Sequence, residues 1–135
     1  METLDFERLL AELAELCRHP PGTVMAEHDP AAQAQVTAAI RAAIVRPVCP
    51  HCGTLKCHRH GQAHGLPRYR CTGCRRTFNP LTATPLARLR HKDKWPPYLE
   101  CLLEAMSVRT AAASVGVHRN TSLRWRHRFR AGAPR

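Results

Sequence analysis

Cys49-Pro50-His51-Cys52-Gly53 and, after a basic stretch, Cys71-Thr72-Gly73-Cys74 decide how this chain reads. Two Cys-x-x-Cys pairs separated by residues 53–70 have the spacing of a four-cysteine zinc site. Zinc takes four ligands in a tetrahedron, and two residues between cysteines let one tight turn offer two thiolates to one ion. Gly53 suits such a turn because a residue at positive φ is needed there. Arg75 stands at the matching place in the second turn and fits it less well. A redox Cys-x-x-Cys belongs at the start of a helix after a strand, which two paired motifs do not resemble. A rival ligand set lies in the intervening stretch, where Cys57, His58, His60 and His64 occur; Cys49, Cys52, Cys57 and His60 would close a compact site.

The 135-residue chain carries a formal charge of +11, with 5% aromatic residues. That length suits one domain or two small ones, and the few aromatics argue against one large core. Residues 1–45 hold three basic and seven acidic side chains; residues 46–135 hold eighteen basic and three acidic, a net +15. A half-chain so basic calls for a polyanion. No apolar run reaches the length of a bilayer span and no signal-peptide pattern opens the chain, so nucleic acid is expected rather than a membrane. The same absence favours a reducing, cytoplasmic setting, with the seven cysteines as ligands and free thiols. Cys17 and Cys101 read as small buried residues.

Upstream of the cysteines, residues 1–46 read as a helical hairpin. Phe6, Leu9, Leu10, Leu13 and Leu16 make an apolar stripe over 3–18, ended by Pro20-Pro21-Gly22. A second helix starts with Asp29 as N-cap and Pro30 at its first position, and lines up Val36, Ile40 and Ile44. These stripes are expected to pack as core; a dimerisation or docking surface is the alternative, and a homodimer or association with an intact homologous enzyme would use it.

Between the cysteine pairs, residues 55–58 and 67–70 read as short strands around a turn at 61–65, with a third strand at 75–78. Tyr69 and Phe78 would pack beside the metal. Residues 47–80 thus have the layout of a zinc ribbon. Four thiolates on one Zn²⁺ leave −2, which Arg68, Arg70, Arg75 and Arg76 would offset, unless they face phosphates instead. Residues 81–94 form a basic connector in which Thr84-Pro85 looks like the start of a short helix carrying Leu86 and Leu89.

From Trp95 the helical period returns. Tyr98, Leu99, Leu102, Leu103 and Met106 make one face; Ser107 caps a helix over Val108–Val115; Gly116 ends it; a third helix runs over 119–130, with a short tail at 131–135. Ala112 and Gly116 let two helices cross closely, as a helix-turn-helix requires. On the third helix Ser122, Trp125 and Phe129 fall on the core side. Asn120, Leu123, Arg124 and His127 fall opposite, with Arg119, Arg126, Arg128 and Arg130 on the flanks. Asn pairs bidentately with adenine and Arg with guanine in the major groove. The expected DNA contacts are therefore Arg119, Asn120, Thr121, Arg124, Arg126, His127, Arg128 and Arg130. His118 stands where Ser or Thr commonly caps such a helix. The expected fold class is mainly α with a small β zinc ribbon: an N-terminal helical hairpin, a four-cysteine ribbon and a C-terminal three-helix helix-turn-helix.

Cys49-Pro50-His51-Cys52-Gly53, Arg68-Tyr69-Arg70-Cys71, Arg76-Thr77-Phe78-Asn79, Leu81-Thr82-Ala83-Thr84-Pro85-Leu86 and Arg119-Asn120-Thr121 through Trp125-Arg126-His127-Arg128-Phe129 together resemble a bacterial family. It is the family of insertion-sequence transposases with an N-terminal zinc ribbon, a helix-turn-helix and a DDE-type nuclease domain. The resemblance covers residues 47–129. Ala83 departs from it where the family often has Gly, Pro96-Pro97 where helix formers are usual, and Arg75 where Gly is usual. The resemblance implies a Zn²⁺ cofactor and recognition of the terminal inverted repeats of an element. The nuclease domain it implies would follow Arg135. DDE chemistry needs acidic side chains holding two metal ions. Beyond residue 45 only Asp93, Glu100 and Glu104 are acidic, and they read as surface or capping residues, so no catalytic activity is expected. The alternatives to a transposase's DNA reader are a small repressor of transposition or transcription, and a zinc-ribbon module docking on protein or RNA.

Overall fold

The computed structural model describes residues 3–16 and 28–132. Within them are five α-helices and one three-stranded antiparallel sheet. The expected stop at Pro20-Pro21-Gly22 and the burial of Cys17 lie outside the described residues.

The first helix, α1 (Phe6–Leu16), starts later than the apolar pattern suggests. Residues 3–5 instead run as an extended strap against the end of the second helix. Leu4 bridges Ile44, the Asp5 N–H donates to the Ala43 carbonyl, and the Val45 N–H to that of Thr3. Asp5 then caps α1 by accepting from the Arg8 N–H at 3.1 Å. The second helix, α2 (Pro30–Ala42), begins as its sequence dictates: the Asp29 carboxylate accepts from the N–H groups of Ala31 and Ala32, and Pro30 occupies the first turn.

The sheet comprises β1 (Cys57–Ala63), β2 (Leu66–Cys71) and β3 (Thr77–Phe78), in that order. β1 is longer than the sequence pattern implies. Gly61, at φ 79°, lies where the register shifts between Arg59 and Gln62, so the strand passes through a bulge instead of ending. His64 and Gly65 alone make the hairpin turn, both at positive φ, as a two-residue turn between twisted strands requires. Arg41 ties that turn to α2, donating from Nε and Nη2 to the Gly65 carbonyl at 3.1 and 2.7 Å.

Residues 81–91 do not contain the expected short helix. The Thr84 hydroxyl donates back to the Leu81 carbonyl at 2.6 Å rather than capping a following turn. Positive φ at Ala83, Arg88 and His91 then breaks the path into separate turns. Leu81 and Leu86 are nonetheless buried, so the segment is an ordered connector.

The last three helices are α3 (Trp95–Leu103), α4 (Val108–Val115) and α5 (Arg119–Gly132). Pro96 and Pro97 sit in the first turn of α3, where the missing N–H groups have no intrahelical partner to lose. The buried face of α3 is Trp95, Tyr98 and Cys101, with Leu102 at its edge, so Leu103 is 71% exposed instead of joining the core. Ser107 caps α4 and Gly116, at φ 73°, ends it. α1, α2 and α3–α5 share one core, in which Leu9, Leu13, Val36 and Ile40 meet Trp95, Tyr98, Trp125 and Phe129. The apolar stripes of the first two helices are thus consumed by packing. No described helix is long and apolar enough to cross a membrane.

Candidate metal centre and nucleic-acid interface

A second, smaller cluster surrounds the cysteines: Cys49, Cys71, Tyr69 and Phe78, with Cys57 and Cys74 at its edge. Tyr69 and Phe78 face each other across β2 and β3 at 5.4 Å between ring centres. The two cysteine turns are copies of one backbone. In the first, the Gly53 N–H donates to the Cys49 carbonyl and the Cys49 N–H to that of Thr54. In the second, the Arg75 N–H donates to the Cys71 carbonyl and the Cys71 N–H to that of Arg76. Gly53 and Arg75 accordingly share positive φ, 77° and 63°. Arg75 adopts it at a steric cost that glycine avoids.

Cys49, Cys52, Cys71 and Cys74 place their sulfurs within 4.8 Å of one another. Cys49 Sγ lies 3.6 Å from Cys74 Sγ and Cys52 Sγ 3.4 Å from Cys71 Sγ. Metal–sulfur bonds of about 2.3 Å require tetrahedral edges of about 3.8 Å. The spacing therefore suits one ion and is too long for disulfides, whose sulfurs sit about 2.05 Å apart. All the described cysteines are free thiols. Backbone groups prepare the Cys71 sulfur as a ligand. The N–H groups of Cys74 and Gly73 donate to it at 3.4 and 3.3 Å and, helped by the Cys52 side chain, lower its pKa to about 6. Cys52 is pushed up to about 12. The Thr54 backbone N–H favours its thiolate, but its Cys71, Cys49 and Cys74 neighbours and burial outweigh it. Cys57 stays outside the tetrahedron: its thiol points to the Thr54 carbonyl at 3.6 Å, and burial raises its pKa. His58 and His60 lie on β1, exposed, so the rival set of Cys49, Cys52, Cys57 and His60 does not assemble.

The second feature is α5. Ser122, Trp125 and Phe129 are buried. Trp95, Tyr98, Trp125 and Phe129 form one aromatic cluster, with Tyr98 and Trp125 edge to face at 5.3 Å. The Tyr98 hydroxyl donates to the Ser122 carbonyl, and the Ser122 hydroxyl donates to the Val108 carbonyl at 2.9 Å. Three helices are thereby tied at one buried point. Lys94, read in sequence as part of a basic connector, is buried and donates from Nζ to the Gly116 carbonyl at 2.9 Å, holding the turn between α4 and α5. His118 does act at the start of α5: its Nδ1 accepts from the Asn120 N–H at 3.1 Å.

Asn120, Leu123, Arg124 and His127 are exposed, as are Arg119, Arg128 and Arg130, while Thr121 is half-buried. Arg126 differs from the expectation that it faces outward. It is half-buried and donates from Nη2 to the Met106 carbonyl, and its Nε is buried with no acceptor. Arg128 reaches the Pro85 carbonyl at 3.3 Å. Asp93, read as a surface or capping residue, is fully buried; its Oδ2 accepts from the Asp29 N–H at 3.1 Å and lies 3.4 Å from His28 Nδ1. Its isolation as the one carboxylate in residues 46–99 was the available signal that it has a specific place. No family model, curated protein or solved structure matches this chain.

Proposed function

We propose that this chain binds double-stranded DNA sequence-specifically, with α4 and α5 acting as a helix-turn-helix and the four cysteines holding Zn²⁺ in a ribbon. The carrying observation is the two-sidedness of α5. One side is fixed by aromatic packing and the Tyr98–Ser122–Val108 hydrogen bonds; the other exposes Asn120, Leu123, Arg124 and His127 with no acidic side chain among them. Such a helix enters a major groove with little further ordering. Arg124 would read guanine, Asn120 adenine, and Leu123 a thymine methyl. Arg119, Arg128 and Arg130 would hold phosphates. Zinc is favoured over iron because a closed four-thiolate site with a structural role suits an ion without redox chemistry. It would fix the two cysteine turns and has no reactive part here.

By the sequence resemblance, this would be the DNA-recognition part of an insertion-sequence transposase, with element ends as its target. The salt dependence of duplex binding tests the reading. The logarithm of affinity should fall linearly with that of salt, and Arg128→Ala should reduce the slope by about one. Affinity insensitive to salt, or equal for duplex and neutral polymer, would rule the reading out.

A further inference from the structure

Beyond α5, one sheet face is exposed over part of its length among the described residues, although Leu66 on that same face is buried in the helical core. Side chains alternate across a strand, so Tyr69 and Cys71 of β2 turn toward the cysteine cluster while Arg68 and Arg70 turn away from it. The register sets His58 beside Arg70, and Arg70 beside Thr77. His60 lies on the same side, its ring 6.5 Å from that of His58. His58, His60, Arg70 and Thr77 are exposed, and Arg68 is half-buried, donating to Thr77 Oγ1 at 3.3 Å.

Charge on this unit is unbalanced. Residues 47–80 hold six basic side chains, Lys56, Arg59, Arg68, Arg70, Arg75 and Arg76, and no carboxylate. Zn²⁺ with four thiolates accounts for only two negative charges. Arg75 and Arg76, next to Cys74 in sequence, match that charge in number, whereas the strand pairing sets Arg68 and Arg70 on the sheet face opposite the cysteines.

We infer that the open sheet face of His58, His60, Arg68 and Arg70 is a second contact for the phosphate backbone of the duplex that α5 reads. The inference rests on the DNA-binding reading above and adds to it a separate surface. Planar guanidinium forks and imidazole N–H donors on strands that carry no carboxylate suit a row of phosphates rather than base edges. This contact lengthens the site and adds affinity without adding sequence preference at the bases under the sheet.

The test uses the whole zinc-loaded chain on a duplex recovered by selection from randomised sequence. Hydroxyl-radical footprinting should show a protected backbone patch flanking the segment protected by α5. Arg68→Gln/Arg70→Gln should lose the flanking patch only and lower the salt slope by about 2, at about 0.9 per phosphate contact. Arg70→Gln alone, at an exposed position, should lower it by about 1 and covers the case in which the double variant folds poorly. An unchanged slope and footprint in Arg70→Gln overturns the second contact while leaving α5 as the reader. A parent chain that protects no duplex overturns the DNA reading itself, and tighter binding to single-stranded RNA than to duplex at equal salt overturns the choice of partner.

Discussion

Replacing Arg126 separates an arginine held within the fold from those proposed to meet DNA on the same helix. In sequence it sits between Arg124 and Arg128 and looks like a third phosphate contact. In the structure its Nη2 donates to the Met106 carbonyl, in the turn that joins α3 to α4, so it clamps that turn onto α5. A hydrogen bond from a charged donor contributes about 1.5–3 kcal/mol. Arg126→Ala also removes the buried Nε that lacks an acceptor, which recovers about 1 kcal/mol. Alanine's better helix propensity returns a few tenths more. The net loss is about 0.2–1.8 kcal/mol, and at this chain length about 4 °C of Tm accompanies each kcal/mol, so Tm should fall by about 1–7 °C. Measured well below that Tm, the salt slope of duplex binding should not change. Thermal denaturation followed by circular dichroism, paired with DNA titration at three salt concentrations, reads both quantities. An Arg126→Ala chain with parental Tm and a slope reduced by one would refute the clamp.

Three further outcomes follow from named geometry. Ala83 adopts φ 66°, which costs about 1–2 kcal/mol for a residue with a Cβ, against about 0.5–1 kcal/mol of chain entropy that glycine loses on folding. Ala83→Gly should therefore raise stability by about 0.5 kcal/mol, seen as a higher urea midpoint; a lower midpoint contradicts the strain. Cys71→Ser should abolish stoichiometric zinc binding and Cys57→Ser should retain it, measured by metal content after gel filtration; the reverse would restore the ligand set containing Cys57 and His60. Zinc affinity should fall on acidification, because protons compete for the thiolates. Cys71, with its pKa lowered from 9.0 to about 6, is already a thiolate at neutral pH and adds its proton only in acid. The pH dependence should steepen by one proton below about pH 6; a slope constant through pH 6 contradicts the depressed thiol.

Local chemistry made much of this fold legible. The cysteine spacing, Asp29-Pro30, Ser107 and Gly116 each dictate a turn or cap through their own backbone needs, and all four sit where those needs place them. The core side of α5 also followed from period alone, because Ser122, Trp125 and Phe129 have no other face to occupy. What the sequence hid depends on partners distant along the chain. Nothing near Lys94 announces that its ammonium meets the Gly116 carbonyl, and nothing near Asp93 announces the Asp29 N–H. Arg126 was misread because a charge at a helix flank looks the same whether it meets solvent or a carbonyl from the preceding turn. The helix expected after Thr84 failed for a related reason: Thr84 prefers its own upstream carbonyl, and the strained Ala83 and Arg88 turn the chain to bury Leu81 and Leu86.

Repeated selection of the zinc-loaded chain on duplexes of randomised sequence decides whether α5 reads bases. One motif should be enriched by the parent, and Arg124→Ala should lose preference at a single guanine position at a cost of about 1–3 kcal/mol. Selection that enriches no motif, or the same motif with undiminished preference in Arg124→Ala, would contradict base reading by α5.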